Sequence, residues 1–229
     1  MKNRNGNVPV EVLDTTLRDG EQTPGVSFTP AEKLEITRLL LTRVHVDRLE
    51  IASARVSAGE GAAVRSIIEW ARRRECADKL EILGFVDGGK SAEWIADVGG
   101  QVMNLLAKGS ERHCRTQLRK TPARHIDDLR REIGYASGKG LTVNLYLEDW
   151  SHGMRDGFGY VYNLVDKLRE LPVKRFMLAD TLGILAPEEL TRYLEWMFSA
   201  FPELHFDFHG HNDYGLATAN ALAAVNAGI

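Results

Sequence analysis

The feature that most constrains this fold is an alternation of short apolar runs with longer amphipathic stretches along the whole chain. Seven runs are mostly rich in Val, Ile, Leu and Phe, as expected of strands buried on both faces of a parallel sheet. The predicted strands are Val10–Asp14, Asp47–Ala52, Lys79–Phe85, Val102–Leu106, Thr142–Leu147, Lys174–Ala179 and His205–His209. The predicted helices are Pro30–Arg43, Ala58–Arg74, Ser91–Val98, Pro122–Lys139, Tyr160–Leu171, Pro187–Ala200 and Asp213–Ala227.

Two α/β architectures fit this pattern, an open doubly wound sheet and a (β/α)₈ TIM barrel. The glycine-rich fingerprint of a dinucleotide-binding sheet does not follow the first strand. Polar residues instead follow nearly every strand, which favours the barrel: Arg18 and Asp19, Glu50, Asp87, Glu148, Asp180 and Thr181, His209 and His211. We therefore predict one catalytic TIM-barrel domain over residues 1–229, incomplete at about seven βα units.

An open barrel edge is unfavourable, so the natural polypeptide is expected to be longer or to take strand eight from elsewhere. The 229 residues are 44% hydrophobic, which suits one large core. A net charge of −3 with both signs mixed gives no indication of nucleic-acid or membrane binding. Two cysteines and a polar amino terminus, MKNRNGN, predict a cytoplasmic protein.

The segment FDFHGHND carries the clearest indication of a metal site. His209 and His211 are two residues apart at a strand end, so both imidazoles point to the same face. Asp19, after the first strand, is the candidate third ligand. Two imidazoles and one carboxylate suit Mg²⁺, Mn²⁺, Zn²⁺ or Fe²⁺. The alternative is that His-Gly-His is only a polar loop.

Two further residues have a catalytic and a structural interpretation. Arg18 either stabilises a developing negative oxygen beside the metal or forms a simple salt bridge. Glu148 is either a general base or a carboxylate that caps the next loop. In the basic stretch Lys108–Lys120, Arg112, Arg115 and Arg119 are predicted on one helical face. This face is interpreted as a solvated basic surface, with a docking site for phosphates as the alternative.

Five motifs in order, LDTTLRDGEQTPGVSF, RLEIASARVSAGE, LYLEDW, DTLGIL and FHGHNDYGLATAN, resemble those of the DRE-TIM metallolyases. The resemblance extends from about Val10 to the last residue and is strongest to the 2-isopropylmalate, citramalate and homocitrate synthases. It implies a TIM barrel that condenses acetyl-CoA with a small 2-oxo acid and then hydrolyses the thioester, in branched-chain amino acid biosynthesis. It also implies a homodimer.

The resemblance assigns roles to matching positions. Asp19, His209 and His211 are implied to bind a divalent metal, Mg²⁺ or Mn²⁺ first and Zn²⁺ as an alternative. Arg18 corresponds to the catalytic arginine, Glu148 to the carboxylate near the acetyl donor, and Thr181 to a threonine that contacts the carboxylate of the oxo acid. The residues predicted to surround and orient these groups are Glu21, Gln22, Glu50 and Asn212.

Counting with period two along the strands predicts that Leu83, Leu106 and Tyr146 line the pocket for the oxo-acid side chain. These bulky apolar residues favour pyruvate or 2-oxoisovalerate over a substrate with a second carboxylate, with a slight preference for pyruvate. Their alternative role is ordinary barrel packing.

Three other functions remain open from the sequence. A lyase of the HMG-CoA or aldolase kind would use the same metal and arginine in the cleavage direction. A biotin-dependent carboxyltransferase would need a lysine at the end of strand five or six, and the sequence has none there. The third alternative is a barrel without catalytic activity.

Overall fold

The computed structural model of the protein describes residues 10 to 229, so the polar amino terminus MKNRNGN lies outside the described residues. The strands are β1 (Leu13–Asp14), β2 (Arg48–Ser53), β3 (Leu80–Gly84), β4 (Val102–Lys108), β5 (Thr142–Glu148), β6 (Val173–Asp180) and β7 (Phe206–Gly210). The helices are α1 (Pro30–Leu39), α2 (Ala58–Arg72), α3 (Lys90–Asp97), α4 (Glu111–Thr116), α5 (Pro122–Gly138), α6 (Trp150–Asp156), α7 (Phe158–Leu168), α8 (Pro187–Ala200) and α9 (Ala217–Ala227).

The strands are hydrogen-bonded in chain order from β1 to β7. At least one helix follows each strand, and a short 3₁₀ turn precedes the helix that follows β1. The pairs β1–β2, β2–β3, β5–β6 and β6–β7 are parallel. This is the repeating pattern of a TIM barrel, with seven of its eight βα units in this chain. The predicted fold class is confirmed.

The chain divides into two compact units. The first contains the described residues up to Gly84 together with Lys90–Asn104 and Lys139–Leu141. Its core is apolar and closely packed, with Leu49, Ile51, Ile67, Ile82 and Ile95 fully buried. Thr29 begins α1 with a capping box, since its side chain accepts from the Glu32 backbone N–H and the Glu32 carboxylate accepts in return.

The second unit contains Phe85–Gly89, Leu105–Gly138 and Thr142–Ile229. Its core is built on Leu105, Leu129, Trp150, Phe176 and Phe201, all essentially inaccessible to solvent. Strand β6 pairs in register with β7 from Phe176 with Phe206 to Asp180 with Gly210. This register brings the carboxyl ends of both strands to the same level, which matters for the polar loops that follow them.

Several element bounds differ from the sequence prediction for local reasons. Strand β1 has only two residues, and α1 ends at Leu39 because the backbone continues as a π-helical turn over Leu40–Val44. Helix α9 begins at Ala217, four residues later than predicted, because Gly215 takes a positive φ of 73° in the preceding turn.

Helices α4 and α6 were not predicted. Each has only six or seven residues, which is too short for a periodic apolar pattern to be visible. Helix α4 also corrects the prediction made for the basic stretch Lys108–Lys120. It ends at Thr116, and Arg119 has a φ of 53°, so Arg112, Arg115 and Arg119 do not share a helical face. None of the described helices has both the length and the apolar composition needed to cross a bilayer.

Candidate functional site

In the first unit, the loop after β1 holds Arg18 and Asp19 in a tight turn. The carbonyl of Thr15 accepts hydrogen bonds from the backbone N–H groups of Arg18, Asp19 and Gly20 at 2.8 to 3.1 Å. The Arg18 guanidinium contacts the Asp19 carboxylate at 3.0 Å. The two predicted neighbours in sequence are therefore also paired in space, with most of both side chains buried.

Arg18 is positioned by a series of hydrogen bonds among buried polar side chains. Its Nε donates to Glu50 at 2.6 Å, and Glu50 is fully buried at the third position of β2. The Asn104 amide donates to both Glu50 at 2.8 Å and Glu81 at 2.9 Å, and Arg48 donates to Glu81 at 3.1 Å. Burial raises the pKa of Glu81, although the Arg48 cation opposes this shift. Glu50 therefore contacts Arg18, and its orienting role near a metal stays a prediction.

The acidic and amide residues that follow Asp19 point elsewhere. The Glu21 carboxylate accepts from the Phe28 backbone N–H at 3.0 Å and from Lys33 at 2.6 Å, and Lys33 also pairs with Glu60. Glu21 therefore fixes the loop to α1 and α2. Gln22 is exposed in the short 3₁₀ turn Gly20–Gln22. An orienting role for either residue stays a prediction.

In the second unit, two imidazoles lie side by side: that of His209, within β7, and that of His211, directly after β7. The Nε2 atoms of His209 and His211 are 3.2 Å apart. Two neighbouring nitrogen ligands on one ion, each about 2.1 Å from it, would be about 3 Å apart, so this pair fits a divalent metal. The ring of Tyr146 contacts the His209 ring edge-on at 5.7 Å between centroids.

The loop after β6 fixes the loop that carries His211. The His211 backbone N–H donates to the Asp180 carbonyl at 3.2 Å. A Cβ at Gly183 would lie 2.7 Å from the His211 carbonyl oxygen, and Gly183 has a φ of 55°, so only glycine fits there. The predicted Asn212 accepts from the Ala217 backbone N–H at 3.1 Å and caps the start of α9.

Glu148 is the last residue of β5, as its catalytic interpretation requires, and its carboxylate contacts the ammonium of Lys108 at the end of β4. The sequence prediction ended β4 at Leu106 and assigned Lys108 to the basic stretch. Lys108 could have been found from the sequence, because it comes two residues after the last residue of the predicted strand, Leu106, and so points to the same face.

Asp149, the residue after Glu148, was not singled out and is the centre of a buried polar cluster. Its carboxylate accepts from Ser110 at 2.6 Å, contacts His152 Nδ1 at 2.7 Å and lies 3.3 Å from His113 Nε2. Its backbone N–H donates to Thr181 Oγ1 at 2.8 Å. The hydroxyl hydrogen of Thr181 remains available to donate, as its predicted contact with a carboxylate requires. Burial is the main reason that the pKa of His113 is lowered.

The three predicted pocket residues belong to different units. Leu83 lies in β3 of the first unit and is 4% exposed. Leu106 in β4 and Tyr146 in β5 belong to the second unit, and Tyr146 is 3% exposed whereas Leu106 is half-buried. Contact of Tyr146 with His209 places one of these residues beside a proposed metal ligand.

With this geometry in hand, the chain can be compared with known proteins. The HMGL-like family model matches residues 9 to 229. The chain belongs to the HMGL-like family. The predicted relationship to the DRE-TIM metallolyases is confirmed, since the HMGL-like model covers nearly the whole chain.

Curated HMGL-like relatives are named as synthases. The chain is 36% identical over 221 residues to "Putative (R)-citramalate synthase CimA" of Methanopyrus kandleri, covering 96% of this chain and 42% of that protein. It is 37% identical over 227 residues to homocitrate synthase AksA of the same organism, covering 98% and 55%. It is 31% identical over 220 residues to 2-isopropylmalate synthase of Sulfurisphaera tokodaii, covering 96% and 55%. The chain spans about half the length of these relatives.

Solved structures with the same fold include the HMG-CoA lyase of Bacillus subtilis, with a TM-score of 0.77 at 23% identity over 97% of this chain and 76% of that chain. The carboxyl transferase domain of Rhizobium etli pyruvate carboxylase gives a TM-score of 0.68 at 18% identity over 96% and 38%. At these identities the likeness concerns the fold alone.

Proposed function

We propose that residues 1–229 form the catalytic barrel domain of an enzyme that condenses acetyl-CoA with a small 2-oxo acid and hydrolyses the thioester. The observation that carries the proposal is the pair of imidazole nitrogens of His209 and His211, 3.2 Å apart at the end of β7. Paired Arg18 and Asp19 support it, because condensation at a ketone needs both a polarised carbonyl and a cation for the developing oxyanion. The synthase names of the relatives support the same reaction class.

A divalent ion, Mg²⁺ or Mn²⁺ before Zn²⁺, would be held by His209, His211 and Asp19. Carboxylate and imidazole donors suit these ions, and a three-ligand set leaves positions open for substrate. When bound, the ion polarises the ketone and fixes the carboxylate of the oxo acid. Asp19 is brought to this role by the tight Thr15–Gly20 turn, and Arg18 orients its carboxylate.

The remaining chemistry falls to side chains of this chain. Glu148 takes a methyl proton from acetyl-CoA, and the resulting enolate carbon attacks the ketone. The Arg18 guanidinium, fixed by Glu50, donates to the oxygen that becomes negative. The Thr181 hydroxyl donates to the carboxylate of the oxo acid. Hydrolysis of the thioester then releases CoA and makes the condensation irreversible.

We infer that the oxo acid is small, with pyruvate slightly favoured over 2-oxoisovalerate. Leu83, Leu106 and Tyr146 are bulky and largely apolar, and the Tyr146 ring lies against the His209 ring. A second carboxylate would be desolvated against leucine side chains without a partner, which disfavours 2-oxoglutarate. The difference between the two favoured substrates is two methyl groups, worth only a few kcal/mol in such a pocket. Branched-chain amino acid biosynthesis, a cytoplasmic location and a homodimer are part of the same proposal.

The first test is release of CoA thiol by the purified protein with Mn²⁺ and acetyl-CoA. Pyruvate, 2-oxoisovalerate and 2-oxoglutarate are offered separately, each with a chelator control. We expect chelator-sensitive release, fastest with pyruvate. Faster release with 2-oxoisovalerate would overturn the pocket argument, and no release with any oxo acid would overturn the proposed reaction.

The metal assignment is tested by replacing its proposed ligands one at a time. Asp19→Ala and His209→Ala are expected to lose metal-dependent release, by about 10³-fold or more, because each removes one of three ligands. His45→Asn is the matched control, since His45 is an exposed histidine with a φ of 62°, a conformation that asparagine tolerates. Near-normal rates in either ligand variant would show that the ion is held elsewhere.

A further inference from the structure

Lys108 and Glu148 occupy equivalent positions at the ends of neighbouring strands of the second unit. Each is the last residue of its strand, β4 and β5. The backbone N–H of Gly109 donates to the Glu148 carbonyl at 2.6 Å and joins the two strand ends. The Lys108 ammonium contacts the Glu148 carboxylate, with the side chains only 14% and 23% exposed.

The backbone of Lys108 is held from both sides. Its N–H donates to Nε2 of the buried His125 at 3.1 Å, and its carbonyl accepts from the Tyr160 hydroxyl at 2.9 Å. A Cβ at Gly109 would lie 2.9 Å from the Leu147 carbonyl oxygen, so the chain after Lys108 also has little freedom. The ammonium is therefore presented from a rigid base, which is what a catalytic side chain needs.

Stability alone is a weak explanation for this pair. Taking a carboxylate and an ammonium largely out of water costs several kcal/mol, and their attraction often does no more than offset that cost. The pair also stands at the carboxyl ends of the strands, where TIM barrels place catalytic groups, rather than at the opposite ends, where polar residues mainly serve folding.

We propose that Lys108 is a further catalytic residue, which donates a hydrogen bond to the thioester oxygen of acetyl-CoA while Glu148 removes the methyl proton. This inference rests on the proposed function. In the step, the methyl C–H bond breaks and its proton goes to the Glu148 carboxylate. The electron pair of that bond forms the carbon–carbon double bond of the enolate. The π pair of the thioester carbonyl moves to its oxygen, which becomes negative.

The movement of negative charge during proton removal explains why Lys108 suits both the starting state and the enolate. Before the step, the negative charge is on Glu148 and the ammonium is paired with it. After the step, Glu148 is neutral and the negative charge is on the enolate oxygen, two bonds from the carbon that lost the proton. A flexible ammonium on a fixed backbone can follow this charge, so the cation keeps a partner throughout.

The test compares Lys108→Met and Lys108→Arg with wild type, with Lys167→Met as the matched control. Lys167 of α7 forms an ion pair with Asp166 at 3.3 Å and has no place in the proposed reaction. We expect Lys108→Met to lower kcat for thiol release by about 10² to 10³, the usual loss for one oxyanion donor, with Lys108→Arg intermediate and Lys167→Met unchanged. The KM for the oxo acid should change little in all of them.

Two further readouts separate a catalytic from a structural role. The deuterium isotope effect on thiol release with methyl-deuterated acetyl-CoA should rise in Lys108→Met, because enolate formation becomes slower relative to the other steps. Carboxymethyl-CoA, which carries a carboxylate where the enolate oxygen forms, should bind wild type about tenfold more tightly than Lys108→Met. Binding of CoA itself should be the same for both proteins.

These measurements distinguish failure of the inference from failure of the proposed function. If wild type releases thiol and Lys108→Met matches it in kcat and isotope effect, Lys108 is not catalytic and the proposed reaction stands. If wild type releases no thiol, the proposed reaction fails, and equal binding of carboxymethyl-CoA by both proteins overturns the role of Lys108 as well.

Discussion

His125 shows how a single buried side chain can support a site and at the same time make stability depend on pH. It is 1% exposed and accepts a hydrogen bond from the Lys108 backbone N–H through Nε2. Burial, assisted by the nearby Lys120 cation, lowers the pKa of His125 to about 4. The imidazole is therefore neutral in the folded protein at neutral pH, as an acceptor at Nε2 must be.

This lowered pKa predicts a loss of stability in mild acid. Between about pH 6.5 and pH 4 the unfolded chain protonates His125 and the folded chain does not, so the free energy of unfolding falls as the pH falls. One proton is worth about 1.4 kcal/mol per pH unit, which gives a total of about 3 kcal/mol over this interval. The measurement is urea unfolding of wild type and His125→Gln, whose amide oxygen can still accept from Lys108, at several pH values.

The free energy of unfolding should fall more steeply with falling pH in wild type than in His125→Gln, by a slope of about one proton over this interval. Parallel curves for the two proteins would mean that His125 titrates normally in the folded state. Asp128, whose charge is near His125 and opposes its shift, has a pKa that Lys120 and neighbouring arginines lower, and it is present in both proteins.

Among the elements, the junction of β4, β5 and α6 does most to shape the candidate site. Helix α6 begins directly after Asp149, which takes a left-handed φ of 65° to turn the chain from strand to helix. Gly153 of α6 packs against the carbonyl oxygen of Gly109, the residue after Lys108. The helix can lie this close to the end of β4 only because residue 153 has no side chain.

Gly153→Ala is therefore expected to destabilise the protein by about 1 to 3 kcal/mol, because its Cβ overlaps backbone that cannot rotate away. The displaced Gly109 would also move Lys108, so thiol release should fall. Gly159→Ala in α7 is the matched control. A Cβ at Gly159 would have no other atom within 4 Å, and alanine favours helix over glycine, so Gly159→Ala should stabilise the protein by about 0.5 to 1 kcal/mol. Denaturant unfolding of both variants measures the contrast, and equal behaviour would contradict the close approach.

At the scale of the whole molecule, binding of the proposed metal ion should change the stability of the folded chain. The proposed ligands are Asp19, in the loop after β1, and His209 and His211 at the end of β7. An ion that binds only the folded chain adds stability as its concentration rises above its dissociation constant, by about 2.7 kcal/mol at a hundredfold excess. Metal binding should therefore be visible as thermal stability and not only as turnover.

We expect Mn²⁺ to raise the Tm of wild type and of His45→Asn, and a chelator to reverse the rise. Asp19→Ala and His211→Ala should show a much smaller rise, because each lacks one proposed ligand. The measurement is thermal unfolding followed by far-ultraviolet circular dichroism over a series of Mn²⁺ concentrations. A full rise in Asp19→Ala would remove this residue from the ligand set.

The sequence by itself determined the order of strands and helices, because burial on both faces of a parallel sheet leaves short apolar runs that are visible without a structure. It also determined where the polar motifs lie, since Arg18, Asp19, Glu148, Thr181, His209 and His211 all lie at or within a few residues of the carboxyl ends of predicted strands. These properties depend on residues that are close together in the chain. Local pattern is enough to reveal them.

Only the tertiary structure decided which of these groups act on one another. The pairs Lys108 with Glu148 and Asn104 with Glu50 are separated by 40 and 54 residues, and no local pattern encodes them. Lys108 and Glu148 lie on neighbouring strands, whereas Asn104 and Glu50 lie on β4 and β2 with β3 between them. Both pairs depend on strand register, and a shift of one residue would turn each side chain to the opposite face. The same reason explains why Asp149, one residue beyond the predicted Glu148, became recognisable as the centre of a polar cluster only in the folded chain.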